Sequence, residues 1–282
     1  MELKYIDTHA HLNLSAFKDD VDEVSKKCDE AEVAVINVGT KEDTSARGVE
    51  LAKKYPNQYA IIGLHPIQTV PAMHDEEELG GGEPFKSKGE NFNKDFYREL
   101  AKTKKVVGIG ECGFDYYHTP EGSYETQEKA FVEQIELANE LKLPLMIHTR
   151  GPKPGAESPT GRSVYADVYD TLKQYAKVPF NVHFYAGTIA EAEKLFELGG
   201  TISFTGVITF AKDYEEVVKW VPLELIHAET DSPYVSPAPH RGKRCEPRYV
   251  IEVYKKIAEL KDIEEERVRE QLVKNAHSIY NL

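Results

Sequence analysis

The chain has 282 residues, 40% of them hydrophobic, which is enough to bury the core of one large α/β domain. A formal net charge of -13 argues against a broad basic surface for duplex nucleic acid. The three cysteines are widely spaced and no apolar run reaches the roughly 20 residues that span a bilayer, so we expect a cytoplasmic protein outside the membrane and without disulfides.

Short apolar runs alternate with segments of helical spacing along the chain, and eight of these runs predict buried strands. They occupy residues 5–11, 33–38, 59–64, 106–111, 144–148, 180–183, 201–204 and 223–231. This alternation predicts a single (β/α)8 TIM barrel, with an open doubly wound sheet as the alternative. No Gly-rich turn of a dinucleotide or P-loop site follows the first strand.

Two Gly-rich stretches lie between predicted elements, near residues 75–93 and 151–163. The first contains three consecutive glycines, and the second follows directly on the fifth predicted strand. Both are predicted to be surface insertions in one domain that spans residues 1–282, and the second is placed to lie over the end of that strand.

Seven side chains of the metal-binding types stand at the carboxyl ends of predicted strands: His9, His11, His65, Glu111, His148, His183 and Asp231. In a barrel these ends meet at one mouth, where active sites are built. Nitrogen and carboxylate ligands without cysteine favour zinc, manganese, magnesium or a nickel-like ion. The set exceeds the needs of one catalytic ion, so the sequence predicts two ions about 4 Å apart that share a carboxylate.

Three of these residues receive specific roles. Glu111 is the predicted bridge, because its strand lies between those that supply the other ligands. Asp231 is predicted to hold one ion and to accept a proton from the attacking water. His65 is not needed to complete either ion's shell, so we expect it to bind or protonate a phosphate oxygen, with a purely structural histidine as the alternative.

The sequence also predicts the positions of three further polar residues. Glu229 shares a strand face with Asp231 and is predicted to be buried and to orient a ligand. His227 is predicted to line the barrel interior. His118 lies away from the strand ends and is predicted to be a surface residue.

Positive charge follows two of the ligand-bearing strands, with Arg150 after the fifth and Arg241, Lys243 and Arg244 after the eighth. Guanidinium groups suit phosphate, so these side chains are predicted to bind an anionic substrate, with a solvated run of charge as the alternative. The acidic chain as a whole favours a single strand threaded into a small mouth over a duplex laid along one face.

The motifs and their order resemble the TatD family of metal-dependent deoxyribonucleases and hydrolases. They are Thr8-His9-Ala10-His11, Gly63-Leu64-His65-Pro66, Gly108-Ile109-Gly110-Glu111-Cys112-Gly113-Phe114-Asp115-Tyr116, Leu145-Met146-Ile147-His148-Thr149-Arg150, Glu229-Thr230-Asp231-Ser232-Pro233-Tyr234 and His240-Arg241-Gly242-Lys243-Arg244. The resemblance runs from residue 5 to the C-terminal helix, and this order of motifs is highly specific.

The resemblance implies an amidohydrolase-like barrel that uses two divalent ions, with magnesium in use and zinc or manganese as alternatives. It also implies a 3′-to-5′ exonuclease on single-stranded DNA, with RNA as a further substrate. In that family, one ion is held by the residues that match His9, His11, Glu111 and Asp231, and the other by those that match Glu111, His148 and His183. A monomer is the default expectation.

Two other functions use the same residues and stay open at this point. One is hydrolysis of small esters, amides or aminoacyl adducts, because an activated water attacks carbonyl carbon as readily as phosphorus. The other is a metal-binding scaffold without catalysis, which a ligand set with open coordination positions disfavours.

The chain departs from the family pattern at two motif positions and in both insertions. His183-Phe184-Tyr185-Ala186-Gly187 stands where His-Cys-Phe-Ser-Gly is common, and Cys245 stands where Asn is usual. Both insertions look longer than those of the compact bacterial members. We therefore expect the pocket shape and the access to the mouth to differ from those members.

Overall fold

The computed structural model describes residues 3–74, 85–120 and 122–282. In this part of the chain, eight parallel strands form one sheet in chain order, which confirms the predicted barrel. The barrel strands are β1 (Tyr5–Ala10), β2 (Val33–Val38), β3 (Gln58–Ile62), β6 (Val106–Asp115), β7 (Leu145–Arg150), β8 (Phe180–Val182), β9 (Gly200–Phe204) and β10 (Ile226–Ala228). A separate antiparallel ribbon pairs β4 (Met73–His74) with β5 (Phe85–Lys86).

Helices alternate with the barrel strands and close the chain. They are α1 (Val21–Glu30), α2 (Glu42–Lys54), α3 (Lys94–Leu100), α4 (Tyr124–Leu141), α5 (Val164–Tyr175), α6 (Ile189–Glu197), α7 (Glu215–Trp220), α8 (Val250–Lys261) and α9 (Glu265–Tyr280). Short 3₁₀ turns lie at Ser15–Phe17, Pro66–Gln68, Gly206–Thr209, Lys212–Tyr214, Leu223–Leu225 and Pro247–Tyr249. Among the described residues, no helix combines the length and the apolar character that a membrane crossing requires.

The pattern of burial explains why these segments take these forms. Every residue of β2 is buried, because one face points into the barrel and the other lies under the helices. On α9 the buried residues Val268, Leu272, Ala276 and Tyr280 recur every fourth position, so the helix buries a single stripe. At the start of α6, the side chain of Thr188 accepts a hydrogen bond from the backbone N–H of Glu191, which completes a capping box.

Two predicted strands have different bounds in the structure. The fourth barrel strand continues four residues beyond Glu111 and ends at Asp115. The eighth was predicted over residues 223–231, but residues 223–225 form a 3₁₀ turn and the strand ends at Ala228. Asp231 therefore lies in the loop after β10, where its φ of 56° places the backbone in the left-handed region.

Hydrogen bonds that join β1 to the last residue of β10 and to the loop after it close the barrel. The hydroxyl of Thr8 donates to the carbonyl of Ala228 (3.1 Å), and the backbone N–H of Asp231 donates to the carbonyl of His9 (2.9 Å). The fully buried carboxylate of Asp7 accepts from the backbone N–H of Thr230 (2.9 Å) and from its hydroxyl (2.6 Å). These bonds fix the position of Asp231 relative to His9.

The two predicted insertions differ in how much of them is described. Residues 75–84 of the first lie outside the described residues, and its remainder contains β5 and the segment that leads to α3. Residues 151–163 form an irregular, mostly exposed connection between β7 and α5. The hydroxyl of Thr160 attaches this connection to α5 through a hydrogen bond of 2.7 Å to Asp167.

The barrel interior contains a buried histidine, His227, on β10. Its Nε2 lies 3.1 Å from the hydroxyl of Thr201, and its Nδ1 has no hydrogen-bond partner among the described residues. Burial lowers the pKa of His227 to about 3, because a charged ring there would lose its hydration.

This histidine makes the stability of the fold depend on pH. The folded-state pKa lies below the unfolded value of about 6.5, so the unfolded chain takes up a proton as the pH falls below that value. Stability contributed by His227 is present above pH ~6.5 and is lost as the pH falls towards the folded-state pKa. The variant His227→Gln should therefore lose about 2 kcal/mol less unfolding free energy than the unaltered protein between pH 7.5 and pH 5.

Urea denaturation at the two pH values, with a chelator present throughout, measures this difference. The exposed His277 of α9 offers the control variant His277→Gln for the loss of a histidine. An equal loss of stability in His227→Gln and in the unaltered protein would contradict the prediction.

Candidate metal centre

The seven predicted metal-binding side chains lie close together at the carboxyl end of the barrel. They come from β1 and the residue after it (His9, His11), the turn after β3 (His65), β6 (Glu111), β7 (His148), the residue after β8 (His183) and the loop after β10 (Asp231). Five are buried, and His148 and Asp231 are partly exposed. The cluster is therefore reached from solvent on the side of these two residues.

His9, His11 and Asp231 form what we call the first ligand group. Nε2 of His9 lies 3.1 Å from Nε2 of His11, and the Oδ1 atom of Asp231 lies 3.3 Å from Nε2 of His11 and 3.7 Å from Nε2 of His9. Nδ1 of His11 lies 2.8 Å from the carbonyl oxygen of Val38, which accepts its proton. This bond leaves the Nε2 lone pair of His11 directed at the centre of the group.

His148 and His183 form the second ligand group, and Glu111 lies between the two groups. The Oε1 atom of Glu111 lies 2.8 Å from Nδ1 of His148 and 2.7 Å from Nε2 of His183. Its other oxygen, Oε2, lies 3.3 Å from Nε2 of His9 and 3.9 Å from Nε2 of His11. The two oxygens of one carboxylate therefore face different sets of ring nitrogens, as a bridging ligand requires.

The donor atoms fit divalent cations. Three overlapping sets have ligand atoms within 4.8 Å of one another: His9 with Glu111 and His183, His9 with His11 and Asp231, and His65 with Glu111 and His148. Lone pairs of neighbouring ring nitrogens repel one another when no proton or cation lies between them. Imidazole nitrogens and carboxylate oxygens bind zinc, manganese and related divalent ions, so the centre is able to bind metal.

The electrostatics of the cluster depend on charge pairing around Glu111. Burial alone would raise the pKa of Glu111, but His183, His65 and His9 hold it well below its usual range. Burial would also lower the pKa of His183, whereas Glu111 and Glu229 raise it well above the ordinary value. The carboxylate is thus stabilised by positive charge, which bound cations supply in place of protons.

His65 lies at the same centre, with Nε2 3.4 Å from Oε1 of Glu111. Its Nδ1 accepts a hydrogen bond from the backbone N–H of Ile67 (3.1 Å), so the neutral ring carries its proton on Nε2. Burial and the neighbouring His148 lower the pKa of His65 to about 4. His65 therefore presents a neutral N–H donor to the mouth.

Two buried carboxylates lie behind the second ligand group. The predicted ligand-orienting residue, Glu229, has Oε1 at 3.3 Å from Nδ1 of His183, and this oxygen also accepts from the backbone N–H of Phe184 (2.8 Å). Phe184, at the departure from the family pattern, takes a left-handed conformation with a φ of 47°. The Glu229 contact thus fixes both the ring and the backbone that follows it.

The second of these carboxylates, Asp115, is not among the site residues predicted from the sequence. Its Oδ2 lies 3.0 Å from Nε2 of His148 and 2.9 Å from Nδ1 of His118. The prediction that His118 is a surface residue is corrected here, because only 16% of its side chain is exposed and it packs against Asp115. Alternation along β6 was an available signal, because Glu111 and Asp115 fall on the same face.

Gly113, between these two carboxylates, lets β6 approach β7 at His148. Its φ is 140°, and an added Cβ would lie 2.1 Å from the carbonyl oxygen of His148. Only glycine fits this contact without a shift of the backbone. The sequence thus needs a residue without a side chain beside His148.

The predicted substrate-binding cations have different surroundings. The guanidinium of Arg244 pairs with Asp20 (2.6 Å) and lies 4.3 Å from the ring centre of Phe17, so it attaches its loop to the 3₁₀ turn before α1. Arg150 lies 5.0 Å above the ring of Tyr117.

The other two stand on the loop after β10. Arg241 donates to the carbonyl of Ser236 (2.8 Å) and lies 3.8 Å from the ring centre of Phe210, while Lys243 is exposed. The roles of all four cations in substrate binding stay predictions.

Comparison with known proteins connects this fold and centre to one family. A family described as TatD related DNase matches residues 6–281. The uncharacterized metal-dependent hydrolase YabD of Bacillus subtilis is 33% identical over 281 residues, with 98% of each chain covered. The uncharacterized metal-dependent hydrolase YcfH of Escherichia coli K12 is 30% identical over 286 residues, which cover 98% of this chain and 96% of YcfH.

A solved structure, that of the TatD homologue YjjV from Escherichia coli K12, has a similar fold. It superposes with a TM-score of 0.80 at 24% identity, and the match covers 100% of both chains. The whole chain therefore has the architecture of that barrel.

The geometry predicts that the Glu111→Gln variant does not retain bound metal. The substitution keeps the shape of the side chain but removes the negative charge that both ligand groups face. Loss of a residue that hydrogen-bonds a metal ligand lowers metal affinity by roughly 10- to 100-fold. Loss of the Glu111 charge should lower it by more. Metal content after equilibration with a chelator measures the effect.

Glu246→Gln is the matched control, because Glu246 is a buried carboxylate that pairs with Arg248 and not with the histidines. Unchanged metal content in Glu111→Gln would contradict the bridging role of Glu111.

Proposed function

Because this chain is a metal-dependent hydrolase that belongs to the TatD family, we propose that it hydrolyses phosphodiester bonds in DNA as a 3′-to-5′ exonuclease. Single strands are the proposed substrate, with RNA as a further one, and the proposed cofactor is a pair of divalent ions with magnesium in use. The placement of Glu111 carries this proposal, because its two oxygens face two separate sets of ring nitrogens. The exonuclease polarity follows from the family resemblance alone.

Each ligand group has the means to hold one ion next to the other. His9, His11 and Asp231 would hold the first with Oε2 of Glu111, and His148 and His183 would hold the second with Oε1. A pair of divalent ions, when bound, supplies an acidified water and positive charge for the phosphoryl oxygens.

Asp231 is the proposed acceptor of the proton that the attacking water loses. Burial raises its pKa, but His11 and His9 lower it below the usual value, so the carboxylate is ionised and able to accept a proton. Its side chain is 15% exposed, which lets water reach it at the mouth. The hydrogen bond from its backbone N–H to His9 keeps the carboxylate beside the first ligand group.

His65 is the proposed donor to a phosphoryl oxygen. The bond from Ile67 to its Nδ1 leaves the proton on Nε2, which faces the cluster beside Glu111. The low pKa keeps the ring neutral at neutral pH, so it acts as a hydrogen-bond donor and not as an acid. A donor in this place stabilises the charge that develops on the phosphoryl group.

The surface around the mouth favours a single strand. The chain is acidic, with a net charge of -13, so a long duplex would meet repulsion away from the centre. Arg150, the last residue of β7, and Lys243, in the loop after β10, are exposed cations at the mouth side of the barrel. They are the proposed contacts to the phosphates that follow the cleaved bond.

Removal and return of metal tests the proposed reaction. Metal-stripped protein should release nucleotides from a 5′-labelled single strand once magnesium or manganese is added, because both ligand groups need a cation. The variant Glu111→Ala should show no release while its far-ultraviolet circular dichroism stays unchanged. Product lengths on a gel show both the release and its direction.

Absence of metal-dependent release from every oligonucleotide would refute the nuclease proposal. In that case, higher kcat/KM on a panel of esters, amides or aminoacyl adducts supports the other hydrolase. Tight metal binding without turnover on any panel supports a scaffold.

The His65 proposal makes a separate prediction. His65→Ala should lower kcat on the single strand by about 10²–10³-fold, the cost of one lost donor to a developing oxyanion. His65→Gln should lose less, because an amide N–H replaces the ring donor. Metal content is measured in parallel, and its loss in either variant would instead identify His65 as a ligand.

A further inference from the structure

The two ligand groups differ in what lies behind their rings. In the second group, each ring has a carboxylate at its outer nitrogen, with Asp115 3.0 Å from His148 and Glu229 3.3 Å from His183. Both carboxylates are fully buried. In the first group, His11 has a backbone carbonyl at its outer nitrogen, and His9 has no hydrogen-bond partner there among the described residues.

The second group also supplies fewer ligands. With His65 set apart as a neutral donor whose proton is on Nε2, it offers two rings and one shared oxygen of Glu111, whereas the first offers two rings, Asp231 and the other Glu111 oxygen. An ion with fewer protein ligands depends more on the orientation and protonation of each one. His148 is the more exposed of the two rings, with 14% of its side chain accessible against 5% for His183.

We propose that Asp115 is a positioning residue that retains the second ion by holding His148 in the tautomer whose Nδ1 is free to bind metal. The inference rests on the proposed two-ion centre. In this scheme Asp115 contacts neither the ions nor the substrate. It acts through Nε2 of His148, on the side of the ring that faces away from the second ion.

The contacts of Asp115 fix a proton on Nε2 of His148. Its Oδ1 accepts the backbone N–H groups of Tyr117 (2.9 Å) and His118 (2.7 Å), so the backbone fixes that oxygen. Its Oδ2 faces Nε2 of His148 (3.0 Å) and Nδ1 of His118 (2.9 Å), and an ionised carboxylate only accepts hydrogen bonds. Nε2 of His148 therefore carries a proton that Asp115 holds in place, and the proton that a bound ion would displace is the one on Nδ1, which lies 2.8 Å from Oε1 of Glu111.

An isosteric substitution reverses this arrangement. In Asp115→Asn, the two backbone N–H groups hold the amide oxygen in the place of Oδ1, so the amide nitrogen takes the place of Oδ2. That nitrogen donates one N–H to Nδ1 of His118 and the other to Nε2 of His148, so Nε2 has to accept and the His148 ring keeps its proton on Nδ1, beside Glu111. The atom that would bind the second ion is then blocked, with almost no change in side-chain volume.

Metal titration of the intact chain tests this inference. The unaltered protein should bind two ions, and Asp115→Asn should hold the first ion normally while the affinity for the second falls by about 10- to 100-fold. Asp167→Asn is the matched control, because Asp167 is a buried carboxylate whose Oδ2 accepts from the hydroxyl groups of Tyr116 (2.9 Å) and Thr160 (2.7 Å), while its Oδ1 lies 3.8 Å from the guanidinium of Arg162. The control should retain both ions, since hydroxyl groups rotate to suit an amide.

Two further readouts identify which ion is lost. Manganese loading should give the paramagnetic resonance spectrum of a coupled pair in the unaltered protein and of an isolated ion in Asp115→Asn. Anomalous scattering should place the remaining ion beside His9 and His11. A merely structural role for Asp115 would change thermal stability without this selective loss.

A second variant, Asp115→Ala, separates the tautomer effect from packing. It removes the carboxylate without adding a donor, so it should weaken the second ion less than Asp115→Asn does. If the Asn variant does not fold, loss of the second ion in Asp115→Ala still supports the inference, and retention of both at unaltered affinity overturns it.

Three results would overturn the inference in the Asn variant: both ions held as in the unaltered protein, loss of the first ion before the second, or a smaller effect than in Asp115→Ala. A single ion in the unaltered protein would remove the two-ion proposal together with the inference. Because that result would be seen in the unaltered protein, failure of the two-ion proposal is distinguishable from failure of the inference about Asp115.

Discussion

Glu111 places a carboxylate with 4% of its side chain exposed among imidazole rings at the end of the barrel. A negative charge at that depth is stable only when opposite charge surrounds it. Protonated rings supply part of this positive charge. Bound cations would supply it more completely, because several ring nitrogens and both Glu111 oxygens would then have a partner at once. The rest of the mouth is arranged around this one requirement.

Closure of the barrel is what brings the ends of the chain to Glu111. His9 lies near the start of the sequence and Asp231 more than two hundred residues later, yet a backbone hydrogen bond joins them. The buried carboxylate of Asp7 and the backbone and hydroxyl of Thr230 fix the same junction. Metal binding and barrel closure therefore depend on the same few contacts, so damage to the junction also misplaces two ligands.

Polar contacts continue from the centre into the barrel. Glu229 accepts from the hydroxyl of Ser203 (2.6 Å), which in turn accepts from the amide of Asn181 (2.9 Å). Thr201 bonds to that amide's oxygen (3.1 Å) and to His227. A chain of side chains thus holds Glu229, and through it His183, against strands β8 to β10. Buried polar groups of this kind are stable when each has a partner, and they fix the orientation of the group at the end.

The barrel and the candidate ligand residues were predictable without coordinates. Buried parallel strands read as continuous apolar runs, and the strand ends carry histidines such as His9, so fold and ligand types follow from local pattern. Tertiary structure alone decided that Asp231 lies in a loop and that Arg244 pairs with Asp20. It also decided that Asp115 faces the outer nitrogen of His148. Periodicity specifies the face on which a residue lies, whereas the atom of a ring that meets a partner depends on how two distant strands pack.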